Sequence, residues 1–399
     1  MLMATIENQA RKPSEMSGRE RVLAALNRQP VDRIPFTPCF DPYTLTGLPE
    51  ELTGDPTLGI YHPRRQIAAL KALECDLMIR GVAATARFSE GAYQVQGLGA
   101  FAPPVEARTE FKDNEMCETI ETPVGTLKGI WKFTDRVGTI PHFIKYVVND
   151  YEEMKIFHYA VEHFNTEPPE PTYETFMKID RLLGDEGVPT ASMYNTPFMH
   201  LIEFVFGLEN TYLLLYDHRD EFEDILEKMH TAQRRHLEAL AISPAPVVIE
   251  YENTSSTLIS PTIFRRYCLP YLNDYADILR DAGKLFLIHM CGTLHAMVDG
   301  ISQGHFHGIC DIAPQPTGDL PLDEAAAKLP DKVVIGGIDA TTFISEDTEF
   351  VERKVSSLIE RIKPHRGVLL GSGDVVPRGA QVENFTTIRR LLNTIGTYT

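Results

Sequence analysis

Short apolar runs recur along the chain, each followed by a loop and then by a stretch whose apolar positions fall three and four residues apart. The runs read as strands, and the stretches as amphipathic helices packed on them. The pattern predicts strands at Pro35–Cys39, Asp76–Arg80, Thr190–Asn195, Val247–Glu252, Leu285–Cys291, Gly308–Ala313, Val333–Asp339 and Gly367–Gly373. It predicts helices over Glu209–Ile242, Pro261–Ala282, Thr293–Gln303, Glu346–Ile362 and Val382–Asn393. Strands alternating with helices pair in parallel, and eight such units can close a TIM (β/α)8 barrel, so the expected fold class is α/β. An open doubly wound sheet is the alternative, weakened in its nucleotide-binding form because no GxGxxG follows the first strand.

Two regions stand outside this rhythm. Ser17 followed by Glu20 reads as a capping box, opening a helix through about Arg28 with Val22, Leu23 and Leu26 on its buried side. Residues 1–16 are polar and expected to be flexible, leaving 17–399 as a single barrel domain. Between the second and third strands, about residues 81–189, the chain is too long for one crossover. ETIETPVGTLKGIWKFT in that region alternates on both sides of a Pro-Val-Gly turn and reads as a β-hairpin. The region is therefore expected to be an insertion of hairpin and helices folded over one end of the barrel.

Composition narrows the partners. The 399 residues carry 38 Lys and Arg against 56 Asp and Glu, a formal net charge of −18. With 43% hydrophobic and 24% charged residues the chain has the balance of a soluble globular protein. No basic run could neutralise a phosphate backbone, so no nucleic acid is expected as partner. No apolar stretch approaches the ~18 residues of a membrane span, and the opening lacks a signal peptide's apolar segment, so a cytoplasmic location is expected. Six cysteines, at 39, 75, 117, 268, 291 and 310, lie scattered; in a reducing compartment they read as core residues, ligands or nucleophiles rather than a disulfide framework.

In a parallel barrel, functional groups gather at the C-terminal ends of the strands. Four predicted ends carry unusual polar groups: Glu250-Tyr251-Glu252, His289-Met290-Cys291, Cys310-Asp311, and Gly371-Ser372-Gly373-Asp374. His289 and Cys291 are two apart on a strand and share a face, offering the imidazole and thiolate that zinc prefers. Cys310 ends the next strand, only ~5 Å away, and could bring a second thiolate. Glu252, or alternatively Glu250, could add an oxygen ligand from the preceding strand. A buried thiol beside a histidine bonded to a backbone carbonyl would account for the same residues without a metal. By the same strand-end rule His305 and His307 belong to the opposite, stabilising end, and Cys39 reads as a small buried thiol. Aromatic residues near the upper rim, Phe36, Tyr194, Phe198 and Tyr251 among them, could line a slot for a flat ring. GSG at Gly371–Gly373 is not a nucleophile elbow, which argues against serine hydrolysis.

The segments GRERVLAALNRQPVDRIPF, ISPTIFRRYCLPYLNDYADILRDAGKLFLIHMCG, PTGDLPLDEAAAKLPDKVVIGGIDATTF and GSGDVVPRGAQVENF together resemble the uroporphyrinogen decarboxylase superfamily, and within it the corrinoid-dependent methyltransferase branch that includes the O-demethylase methyltransferases. The resemblance implies a TIM barrel and an HxC zinc motif, which His289 and Cys291 match. It further implies a reaction in which a zinc-bound methoxylated donor, expected to be aromatic, passes its methyl group to the Co(I) corrinoid (cobalamin) of a separate partner protein. The branch's third thiolate lies in a late GCG-like turn. Here that turn is Gly371-Ser372-Gly373, so Cys310 is the replacement candidate, chosen from strand adjacency rather than from the family. Asp374 or Asp339 could orient the donor or the ligands of the metal. The Arg-rich motif of true decarboxylases has no equivalent near Pro35–Pro42. Three alternatives follow in order: methyl transfer from a methylcorrinoid to a thiol, a metal-free decarboxylase, and an inert barrel kept as a binding scaffold. A homodimer is the default assembly.

Overall fold

A computed structural model describes residues 15–58, 62–82, 101–133, 142–164 and 173–398. Residues 1–14 of the polar opening lie outside the described residues. The strands in chain order are β1 (Leu77–Ile79), β2 (Glu106–Lys112), β3 (Glu115–Thr122), β4 (Gly125–Lys132), β5 (His142–Lys145), β6 (Gly187–Pro189), β7 (Ala191–Tyr194), β8 (Val247–Tyr251), β9 (Leu285–His289), β10 (Gly308–Ile312), β11 (Val333–Ile338) and β12 (Val368–Ser372).

β7 to β12 form one parallel sheet in sequence order, and β1 pairs in parallel with β6. Thr190 alone separates β6 from β7: the run meets β1 with its first half and β8 with its second. Residues 35–39 complete the circle. Phe36 forms a parallel bridge with Leu370 of β12, and the Asp76 N–H just before β1 donates to the Phe36 carbonyl at 2.8 Å. The regular ladder is therefore not closed all round, and single bridges carry the remaining joins. Seven of the eight predicted barrel strands have their counterparts, Pro35–Cys39 contributing isolated bridges only, and the α/β fold of TIM-barrel class follows from the helices that cover the sheet. Because both faces are buried, the strands read as nearly continuous apolar runs rather than alternating ones.

The two faces separate cleanly. Met78, Val188, Val247, Ile249, Leu287, Val333, Ile335 and Leu369 fill the lumen, and Val22, Ala25 and Leu26 pack into the same cluster. Ile79, Val248, Ile288, Ile309, Val334 and Leu370 face the helices. The plug helix Gly18–Leu26 starts on the predicted capping box: the Ser17 hydroxyl accepts from the Glu20 N–H at 2.9 Å, and Glu20 accepts from the Ser17 N–H at 2.7 Å. Arg21 on that helix is buried and bonds Asp32 (2.6 Å) and Asp76 (2.7 Å); Asp76 also accepts from Arg33 (2.7 Å) and from the Phe36 N–H (2.8 Å). One carboxylate thus joins the plug, residues 33–36 and the start of β1.

Between β1 and β6, the strands β2 to β5 make an antiparallel sheet, with the predicted hairpin realised as β3–β4. The helix Tyr151–Val161 packs on it, and Trp131 of β4 is fully buried. Two long predicted helices are interrupted. Glu209–Ile242 breaks at His218, whose ring stacks on Tyr151 at 3.5 Å, giving Leu208–Asp217 and Arg219–Ala241. Pro261–Ala282 widens to a π-turn over Phe264–Cys268, just before Pro270, which has no N–H to donate back along the helix.

Asp76→Ala leaves Arg21 and Arg33 without their shared carboxylate in a buried setting. The expected loss is about 3–5 kcal/mol of unfolding free energy, the usual cost of removing one partner from a buried ion pair. Urea denaturation followed by circular dichroism measures it.

Candidate functional site

Register decides which strand-end residues meet. Tyr251 is the direct partner of His289, and His289 of Cys310, so these three share a face at the ends of β8, β9 and β10. That face is the lumen, where Cys310 belongs to the inner cluster and Tyr251 packs against it. The Tyr251 ring lies 5.4 Å from the imidazole of His289. Alternation sends Glu250 and Glu252 the other way. Glu250 pairs in register with Ile288, a helix-facing residue. Glu252 accepts from the Thr196 N–H (2.6 Å) and hydroxyl (2.7 Å), buried behind the strand. The structure corrects the expected oxygen ligand: neither glutamate reaches the lumen cluster.

Asp311 takes that place. Regular alternation would point it outward after Cys310. Its backbone instead adopts a left-handed conformation, φ +71°, where the β10–β11 register shifts between Ile309 and Ile312. The irregularity turns two successive side chains inward. The imidazole Nδ1 of His289 donates to the Asp311 carboxylate at 2.6 Å. Arg80, just beyond β1, forms a buried ion pair with Asp311 and lies 4.0 Å from the Cys310 sulfur. His289, Cys310 and Asp311 offer ligand atoms that all lie within 4.8 Å of one another. The thiols of Cys291 and Cys310 both interact with the imidazole. Asp374, also left-handed with φ +84°, places its Oδ1 4.0 Å from His289 Nε2. With Nδ1 committed to Asp311, Nε2 is the nitrogen left to bind a metal ion.

Burial opposes a charge on Asp311, but Arg80 and His289 hold its carboxyl well below the usual carboxylate range. Burial would depress His289, yet the Asp311 charge and hydrogen bond raise it well above its ordinary value. Burial and Asp311 push the Cys310 thiol up to about 11, and burial pushes Cys39 up to about 12. Asp311 Oδ1 and Arg80 Nη2 are buried without a hydrogen-bond partner among the described residues. A nitrogen, two thiols and a nearby carboxylate form a donor set that suits zinc.

The remaining predicted residues fall elsewhere. Asp339 caps the helix Ala340–Phe343, accepting from the Thr341 N–H (3.1 Å) and the Thr342 hydroxyl (2.8 Å), with Lys354 as ion partner. Those bonds occupy its carboxylate away from the imidazole. Phe36 and Phe198 are core rather than rim, packed against Phe385 (6.3 Å) and Tyr267 (5.3 Å) respectively. Tyr194 is 42% exposed at the end of β7. His307 is at the N-terminal end, hydrogen-bonded to the Leu26 carbonyl.

Sequence reasoning passed over Arg80, marked Asp311 only as part of a polar strand end, and read Cys39 as a small buried thiol, which its burial bears out. Arg80 ends the apolar run LMIR, so the strand-end rule applied to every strand would have found it. Cys39 feels the charges of Arg80, Asp311, Asp374 and His289, and its N–H donates to the hydroxyl of Ser372 at 2.9 Å. A second ligand-like cluster, His158, Glu162 and Asp224, is surface-placed, and Lys228 already bridges its two carboxylates at 3.9 and 2.6 Å.

A search of curated protein sequences finds no match. Among solved structures, the chain is similar to a methyltransferase from Methanosarcina mazei, at 15% identity over 95% of this chain and 99% of that one, with a TM-score of 0.61. Its likeness to a GH18 chitinase from Flavobacterium johnsoniae is weaker: 11% identity, 56% of this chain and 80% of that one, TM-score 0.33. A D-psicose 3-epimerase from Clostridium cellulolyticum stands similarly, at 8% identity, 56% and 82% coverage and a TM-score of 0.34. The profile of the uroporphyrinogen decarboxylase (URO-D) family matches residues 131–395, well over half of the sequence, and the chain belongs to that family.

Proposed function

We propose that this chain is a zinc-dependent methyltransferase that demethylates a small methoxylated aromatic compound, with the reduced corrinoid of a partner protein as methyl acceptor. The observation that carries the reading is the lumen cluster itself: an imidazole oriented by a buried carboxylate, with two thiols against it. His289 Nε2, Cys291 and Cys310 would hold the ion, and Asp374 stands within reach of the same place. Zinc bound there would supply a Lewis acid for the ether oxygen.

The chain's own residues prepare that chemistry. Asp311 fixes the tautomer and rotation of His289, and Arg80 keeps Asp311 ionised. Tyr251, half-buried and beside the imidazole, offers an apolar wall for a ring. Cobalt is the nucleophile in such a transfer, so no nucleophilic side chain is required. The decarboxylase reading fits less well. A porphyrinogen carries several carboxylates, whereas among the described residues the cation shown at this cluster, Arg80, is already neutralised by Asp311.

Protein purified without chelator and offered zinc is expected to hold one ion per chain by plasma mass spectrometry. The His289→Ala, Cys291→Ser double variant should lose it, while Glu252→Gln should keep it. A wild type that binds no stoichiometric metal ends the proposal. Asp311→Asn, which weakens the orientation of His289, should lower zinc affinity about 10–100-fold in a competition with a chromophoric chelator.

Direction is tested by spectrum. Cob(I)alamin with methoxyarenes should convert to its methylated form in the presence of the enzyme. Methylcobalamin with thiols should stay unchanged; the opposite pair of results would favour thiol methylation.

A further inference from the structure

A carboxyl group outside the lumen cluster has a geometry that the metal-ligand reading leaves unused. Glu203 lies in the π-turn Leu201–Val205, which follows the short helix Pro197–His200 beyond β7. Such turns widen a helix locally and are frequent at functional sites. Glu203 Oε2 accepts from the side-chain amide of Asn253 at 2.9 Å, and Asn195 interacts with the same carboxyl. Asn195 and Asn253 stand just beyond the C-terminal ends of β7 and β8, so the carboxyl lies at the end of the barrel that carries His289.

Asn253 also ties Glu203 to the stave that carries His289. Its own N–H donates to the His289 carbonyl at 3.1 Å, and its backbone is held left-handed, φ +51°. That conformation is uncommon for a residue other than glycine, though asparagine tolerates it best. Here it lets one residue bond the His289 backbone with its amide and Glu203 with its side chain. The second oxygen, Oε1, is buried and has no hydrogen-bond partner among the described residues.

We propose that Glu203 is the proton donor to the oxygen from which the methyl group departs, with Asn253 as its positioning residue. The inference rests on the demethylation reading above. In the step, the methyl carbon–oxygen bond breaks and its electron pair stays on oxygen. The electron pair of the reduced corrinoid forms the new bond to carbon, so cobalt is formally oxidised from Co(I) to Co(III). The Glu203 proton closes onto the leaving oxygen, giving a neutral phenol and a carboxylate, which solvent reprotonates. Without that proton the product would have to leave as a phenolate.

The surroundings keep the donor protonated. Burial pushes the Glu203 carboxyl up to about 7, overriding the Asn253 hydrogen bond and the weaker pull of Asn195 and His289. The other titratable groups that face it are Tyr146, beyond β5, and Glu252, at the end of β8. Both carry no charge in the same range, since burial raises Tyr146 and brings Glu252 up to about 8. The acid form is therefore present at and below neutrality and is lost as pH rises through about 7.

The test compares wild type, Glu203→Gln and Glu203→Asp, each loaded with zinc, with cob(I)alamin as acceptor. Two donors are used: 4-methylanisole, whose phenolate is a poor leaving group, and 4-methoxybenzonitrile, whose cyano group stabilises the departing charge. Glu203→Gln should slow the first by about 100-fold or more and the second by less than about 10-fold. It should also abolish the fall in kcat above about pH 7. Equal losses on both donors, or an unchanged alkaline limb, overturn the assignment while leaving the demethylase reading intact. If wild type demethylates neither ether, that reading fails and this one with it. Equal zinc content and circular dichroism establish that the glutamine variant is folded. Should it not fold, the aspartate variant decides: a displaced alkaline limb supports the donor role and an identical one refutes it.

Discussion

Asp311 is the residue on which the lumen depends. A buried carboxylate with one cationic neighbour would hold a single contact, whereas this one holds two. Arg80 reaches it from the end of β1, and His289 from the end of β9. The three side chains therefore tie opposite parts of the ring together across its interior. The tie also fixes direction: with Nδ1 spent on Asp311, the free nitrogen of His289 faces Asp374 and the open end. All of this costs a left-handed aspartate and a local loss of register between β10 and β11. Such strain is small next to the cost of leaving Arg80 buried and unpaired.

How much of this could be read from the sequence follows from the kind of regularity each feature obeys. The strands were legible because apolar runs between polar loops are what a doubly covered parallel sheet requires. The β3–β4 hairpin was legible because alternation changes phase around Pro123 and Val124. His289 and Cys310 stood out by a rule of barrel geometry, and Arg80 obeys the same rule at a strand end too plain to draw notice. Glu250 and Glu252 show where the rule stops. Their shared face follows from alternation, but which face it is depends on the pairing of Tyr251 with His289, a register that no single strand encodes. Asp311 lies further out of reach. Its inward direction comes from a backbone irregularity that breaks alternation, and Asp is compatible with either conformation.

Two of the four rim aromatics fall in the core for a related reason. Phe36 and Phe198 lie close in sequence to the right ends of the barrel, but both are fully engaged with the helix layer, against Phe385 and Tyr267. A large ring placed between sheet and helices buries more apolar surface than one left at an open mouth. The aromatic wall at the cluster therefore comes from Tyr251, whose position is tied to His289 by strand pairing rather than by hydrophobicity.

Charge accounting inside the lumen connects these parts. Arg80 and Asp311 cancel one another. With His289 neutral, a divalent cation would leave two positive charges, and two thiolates would balance them. Cys291 and Cys310 are the pair that interacts with the imidazole, so the cluster reaches neutrality with those two and no further anionic ligand. Burial and the Asp311 charge keep the Cys310 thiol protonated, so the ion must offset the cost of its ionisation, and binding should release protons. A neutral, enclosed cluster has little capacity for a further negative charge. An oxygen that leaves with an electron pair therefore needs a proton at once, and the protonated Glu203 carboxyl gives one, the negative charge then resting on that carboxyl until solvent reprotonates it.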